Sequence, residues 1–115
     1  MLNKQEILGA TDIRAETLAV PEWGGDVLVW GLTGTQRDAF EAALAGDGAR
    51  GVNLADVRAR LCALALRDAN GERLFSDADV AELGSKSARA LDRVFTVARR
   101  LSGLSDADVE ELTKK

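Results

Sequence analysis

Thr17-Leu18-Ala19-Val20-Pro21-Glu22-Trp23-Gly24-Gly25-Asp26-Val27-Leu28-Val29-Trp30 places two short apolar runs on either side of a turn. Proline fixes one backbone angle and the glycines permit positive ones, so Pro21 to Asp26 reads as the turn. Thr17 to Val20 reads as one strand, and Val27 to Trp30, with its β-branched residues in alternation, as the second. The hairpin so predicted covers about residues 16–32. A two-stranded hairpin is marginal in water on its own, so it has to lean on the segments that follow.

Those segments read as helices across about residues 34–113. Thr33 with Gln36 forms a capping box, and Phe40, Ala43 and Leu44 fall on one face behind it. Gly46-Asp47-Gly48 closes that helix, and the stretch through Gly51 reads as the most flexible loop of the chain. Asn53 is expected to cap a second helix with Leu54, Val57, Leu61, Leu64 and Ala65 inward. Asp68-Ala69-Asn70-Gly71 is expected to close it, with Gly71 in a left-handed position. Ser76 to Asp79 caps a short helix carrying Val80 and Leu83. Ser85 is expected to start the longest helix, whose Ala88, Leu91, Val94, Phe95, Ala98 and Leu101 recur at spacings of three and four. Gly103 ends it, and Ser105 caps a last helix with Val109 and Leu112. The echo between residues 76–83 and 105–112 reads as one N-cap solution used twice, because a repeat architecture needs about three units or more. On the other side of the hairpin, Asn3 with Glu6 predicts a short capped helix with Ile7 and Leu8 as its apolar face.

The 115 residues fit one domain, 1–115. Hydrophobic residues make up 46% but aromatics only 4%, so the core must be mostly Leu, Val and Ala. Such a core suits packed helices better than a sandwich or barrel. The expected fold class is mainly α (α+β): an N-terminal β-hairpin packed on a small helical bundle. A net charge of -4 argues against a nucleic-acid partner, which needs a basic face to neutralise phosphates. The first residues do not read as a signal peptide, and no apolar run is long enough to span a bilayer, which predicts a cytoplasmic protein with no membrane partner.

The residue types that support catalysis are scarce. There is no histidine and no tyrosine, which removes the commonest general base, the Ser-His-Asp arrangement and the commonest metal ligand. The single cysteine, Cys62, cannot form an internal disulfide, and among Leu61, Leu64 and Leu66 it reads as a buried, inert thiol. The pairs Asp77/Asp79 and Glu110/Glu111 read as solvated helix starts and faces. Asp68 and Asn70 before Gly71 resemble part of a calcium loop. Aligned on that glycine, however, the first ligand position falls on Leu66, and the twelfth on Asp77 in place of a bidentate glutamate. The Gly46 to Gly51 loop lacks the ending of a phosphate loop. The expectation is no enzyme, no cofactor and no metal.

Two features point outward. Arg89, Arg93 and Arg100 lie near one face of the longest helix, either as a solvated row or as a docking surface for an acidic partner. Trp30 is expected to pack the hairpin onto the helices. Trp23, in the turn, is harder to bury, and an exposed tryptophan often marks an interface.

The chain also resembles a known family. Val20-Pro21-Glu22-Trp23-Gly24-Gly25, then Gly31-Leu32-Thr33-Gly34-Thr35-Gln36-Arg37-Asp38-Ala39-Phe40-Glu41, is similar to the front half of the tail assembly chaperones of long-tailed, siphophage-type phages or prophages. Asp68-Ala69-Asn70-Gly71, Leu74-Phe75-Ser76-Asp77, Leu83-Gly84, Ala90-Leu91-Asp92 and Leu101-Ser102-Gly103-Leu104-Ser105 fit the back half in order. The resemblance implies a protein that binds the tape measure protein in the host cytoplasm, keeps its long hydrophobic helices soluble and helps bring tail tube subunits to it. It implies absence from the finished virion, and often a longer frameshifted form that reaches the tail tube protein. Thr113-Lys114-Lys115 reads first as a solvated tail, and is compatible with a slippery heptamer if Thr113 is encoded by ACA. Self-association is a further expectation. Two other readings stay open: a neck or tail-completion protein retained in the virion, and a bacterial adaptor domain.

Overall fold

The computed structural model describes residues 1–45 and 56–104. The hairpin forms as its sequence directs. Strands β1 (Ala15–Val20) and β2 (Gly25–Trp30) pair antiparallel, with Leu18 opposite Val27 and Glu16 opposite Val29. Pro21 opens a 3₁₀ turn, Pro21–Trp23, which closes through the Gly24 N–H donating to the Pro21 carbonyl at 3.1 Å. Gly24 sits at φ 79°, a conformation a side chain would penalise. Alternation puts Val20 and Val29 on the inner face, both fully buried, while Ala15, Thr17 and Ala19 stay exposed on the outer face.

A third strand joins this sheet. Helix α3 (Val57–Ala65) runs without a loop into β3 (Leu66–Arg67), which pairs antiparallel with β2 through Leu28–Arg67 and Val29–Leu66, giving the order β1-β2-β3. The expectation that Asp68 to Gly71 closes the helix is corrected: the helix ends at Ala65, and those residues form the turn after β3. The Asp68 carboxylate accepts from the N–H groups of Asn70 (2.8 Å) and Glu72 (3.0 Å), and Gly71 takes φ 83°. The helix leaves carbonyls unpaired at its end, and the arginines flanking this turn satisfy two of them. Arg73 donates to the Ala63 carbonyl at 3.1 Å, and Arg67 to that of Leu64 at 3.5 Å.

Trp30 is a second correction. It lies on the outer face of the sheet, half-buried, with the Arg67 guanidinium 4.9 Å from its ring centre and the Gly71 backbone against its edge. The hairpin is held to the helices by Val20 and Val29 instead.

The remaining helices wrap α3. Its residues Leu61 to Ala65 are all buried, which makes it the central element. Helix α2 (Gly34–Ala45) is opened by the expected capping box: Gln36 N–H donates to Thr33 Oγ1 at 3.1 Å, and Thr33 N–H to Gln36 Oε1 at 3.0 Å. Phe40 and Leu44 bury its inner face. The 3₁₀ turn Asp77–Asp79 and helix α4 (Val80–Leu83) bury Val80 and Leu83. Helix α5 (Ala88–Leu101) packs along α3 through Ala90, Leu91, Val94, Val97 and Ala98. Its cap is Ser87, two residues beyond the expected Ser85, with Ser87 Oγ accepting from the Ala90 N–H at 3.3 Å. Ser85 instead donates its hydroxyl to the Glu82 carbonyl at 2.6 Å. Gly103 at φ 74° ends the helix as expected. The expected cap at Asn53, the loop from Gly46 to Gly51, Leu54, the helix at Ser105 with Val109 and Leu112, Glu110/Glu111 and Thr113 to Lys115 lie outside the described residues.

One element stands apart. Helix α1 (Lys4–Leu8) has the predicted cap: Glu6 N–H donates to Asn3 Oδ1 at 2.9 Å, and Asn3 N–H to Glu6 Oε1 at 3.1 Å. None of its residues is buried.

Candidate partner-binding surface

Helix α5 turns an arginine-bearing face away from α3, and the hairpin lies across part of it. Arg93 donates through Nε to Glu22 at 3.0 Å, and Arg100 through Nη2 to Glu16 at 2.9 Å. Two of the three arginines of the predicted row therefore have partners within the chain, one at the turn of the hairpin and one on β1. Their side chains remain 43% and 57% exposed, so guanidinium donors not used in these bonds still face solvent. Arg89 is exposed and adds its charge to the field at Glu22. The carboxyl of Glu22 is held below the usual range, first by a backbone hydrogen bond and then by Arg93. On the same helix Asp92 pairs with Arg58 of α3.

Trp23 is half-buried and forms one wall of a groove, packed against the core instead of standing free in solvent. The groove has a volume of about 520 Å³ and is open to solvent. Its apolar lining comes from Trp23, Leu74, Phe75 and Leu83, and its polar rim from Asp79, Glu82 and Lys86. Three separate pieces of sequence build it: the hairpin turn, the segment after β3 and the α4 region. Leu74 and Phe75 carry no helical or strand periodicity, so sequence reasoning missed them. The usable signal was two adjacent large apolar residues between a turn and a helix cap, with no element to bury them.

The structure brings Trp23, Arg89 and Arg93 together around Glu22, while Arg100 sits two helical turns further along α5 beside Glu16. No group of three or more His, Cys, Asp or Glu side chains among the described residues could hold a metal ion. Among the same residues no helix is long and apolar enough to cross a membrane.

Cys62 is fully buried, with its thiol 3.6 Å from the Leu91 carbonyl. Burial, with Asp92 nearby, pushes its pKa up to about 12. The thiolate is the form that attacks a disulfide reagent, releasing the reagent's own thiolate. At pH 8 an aromatic disulfide reagent should therefore label folded protein at least roughly a thousandfold more slowly than denatured protein. The folded-state rate should climb about tenfold per pH unit as pH rises towards the thiol pKa. Fast labelling of folded protein at pH 8 would show that the helix α3 environment opens readily.

A family model described as phage tail assembly chaperone matches residues 5–115. The chain belongs to that family. The chaperone's fold is shared with a solved structure, that of the bacteriophage HK97 tail assembly chaperone. The match has a TM-score of 0.61 and 18% identity, over 84% of this chain and 94% of that one. No curated protein matches the chaperone. The family's role is assembly.

Proposed function

We propose that this chaperone binds apolar helical stretches of the tape measure protein in the host cytoplasm, keeps them soluble and helps bring tail tube subunits to them. The observation that supports this reading most is the family match over residues 5–115. The surface assigned to the client runs from Trp23 at the hairpin turn along the exposed face of α5, with Arg89, Arg93 and Arg100 as its polar anchors. Trp23 offers a large, partly exposed aromatic face. The arginines offer remaining donors to acidic groups on the client. Arg93 and Arg100 serve two roles in this scheme, since they also hold the hairpin in place.

Co-expression tests it. Tape measure segments should stay soluble with the wild-type chaperone and precipitate without it. Trp23→Ala combined with Arg89→Ala should reduce the soluble client at least fivefold. Trp23 packs against the core, so the melting midpoint of the double variant is measured alongside, and co-solubility is compared well below it. Undiminished co-solubility with this variant, and with Arg93→Ala and Arg100→Ala added, would remove this surface from the proposal. Client that stays soluble with no chaperone present would remove the function.

A further inference from the structure

Helix α5 concentrates positive charge in a chain whose net charge is -4. It carries Arg89, Arg93, Arg99 and Arg100 against a single acid, Asp92, which Arg58 already pairs. Arg93 and Arg100 are seven residues apart, so they share a face and lie roughly 10 Å apart along the helix axis. The hairpin brings a glutamate to each. Glu22 takes the Nε donor of Arg93, with its two oxygens at 3.0 and 3.3 Å. Glu16 takes the Nη2 of Arg100, with both oxygens at 2.9 Å. In each pair the bonded nitrogen is one of three, which leaves donors for a second carboxylate. The arginine side chains are about half exposed, and ion pairs this exposed are weak enough to exchange.

We infer that Glu16 and Glu22 are internal placeholders for an acidic client helix, which takes over Arg93 and Arg100 with two carboxylates one heptad apart. The inference rests on the reading that places the client along α5, and it adds which clients that face accepts. An incoming carboxylate enters at the donors the glutamate leaves unused, so the arginine keeps a charged partner throughout the exchange. Arginine suits this exchange better than lysine, because its planar fork presents several donors to carboxylates. Glu22, once released, stays beside Arg89, whose charge already acts on it. While the glutamates are in place each pair is neutral as a whole, so an isolated acid is drawn to the face only weakly. A client with one carboxylate replaces one pair and leaves the other closed. A helix laid along α5 rises by the same amount per residue, so acids seven residues apart on it meet both arginines together. The placeholders thereby set specificity, admitting clients by the spacing of their acids.

Titration of the full chain with a labelled amphipathic helical peptide tests it. The peptide carries two glutamates seven residues apart on its polar face, and a control peptide carries glutamines there. Glu16→Gln combined with Glu22→Gln should bind the acidic peptide about fivefold or more tightly than wild type, and added salt should shrink that gain. The control peptide should bind both proteins alike, within about twofold. Adding Arg93→Gln and Arg100→Gln should remove the gain, and so should a peptide whose glutamates stand five residues apart. Each substitution of a glutamate keeps its size and shape, and melting midpoints are measured alongside. The inference is overturned if the acidic peptide binds the double variant no more tightly than wild type. It is also overturned if the control peptide gains equally, which would mark a loosened hairpin. Client solubility that does not depend on the chaperone would remove the proposed function, and the peptide titration would still decide the exchange.

Discussion

Phe40→Ala is expected to destabilise the protein by about 3–5 kcal/mol, the range for removing a buried aromatic ring. Phe40 is the largest of the fully buried side chains, 1% exposed on α2. It lies near Leu64 and Val80, and so helps fasten α2 to α3 and α4. The loss combines the transfer term of a phenyl group with a cavity that the helices can close only in part. Domains of this size commonly have about 5–15 kcal/mol in total, so the variant should lose a large share of its stability. Denaturant unfolding at an unchanged slope measures the effect. Phe95→Ala, at a partly buried site on α5, should cost clearly less. Equal costs at the two positions would show that burial in this core does not rank its residues.

Gly31→Ala is the second large effect. A Cβ built on Gly31 would lie 2.6 Å from the Leu101 carbonyl oxygen and 3.0 Å from its carbon, both backbone atoms. The backbone there has little room to yield. Gly31 N–H donates to the Arg14 carbonyl at 2.8 Å, and Leu32 N–H to Ser102 Oγ at 2.9 Å. Ser102 Oγ in turn donates to the Ala98 carbonyl at 2.6 Å. The end of β2 is thus pressed onto the last turn of α5 and tied on both sides. Overpacking of this kind costs about 1–3 kcal/mol, and here it must be met by parting sheet from helix. Gly25→Ala is the control, since nothing lies within 4 Å of its Cβ position and reduced unfolded-state freedom favours it by about 0.4–1 kcal/mol. Thermal midpoints should fall by several degrees for the first variant and hold or rise for the second. A wild-type midpoint for Gly31→Ala would mean that the junction gives way freely.

The sequence revealed most where a local rule decides structure. Pro21 and Gly24 placed the turn, and the boxes at Asn3/Glu6 and Thr33/Gln36 placed two helix starts to the residue. The stripe on α5 identified its buried face in Leu91, Val94 and Ala98, although Ala90 and Val97 also turn inward and Ala88 does not. It failed where the deciding partner is distant. β3 is two residues long, too short to carry a period, and Leu66 continues the apolar run of α3, so only the free edge of β2 makes it a strand. Trp30 follows the same logic: a tryptophan ending a strand has no sign saying which face it takes, and Arg67, whose contact settles that, is far along the chain. For the partner surface, the arginine row was visible by spacing. Its ion pairs with Glu16 and Glu22 were not, because those acids lie more than seventy residues away from Arg93 and Arg100.

The two ion pairs between hairpin and α5 have an effect that their energies do not suggest. Exposed pairs of this kind contribute only about 0–1 kcal/mol each. Glu16, however, belongs to the same alternating set as Leu18 and Val20. A slip of β1 by one residue would carry all three to the outer face and bring Ala15, Thr17 and Ala19 inward. Glu16 would leave Arg100 at the same moment. In a hairpin of two six-residue strands, the buried face of Leu18, Val20 and Val29 sets the alignment first, and the ion pairs favour the same one. Arg100 and Arg93 therefore reinforce that alignment at the two ends of the ladder.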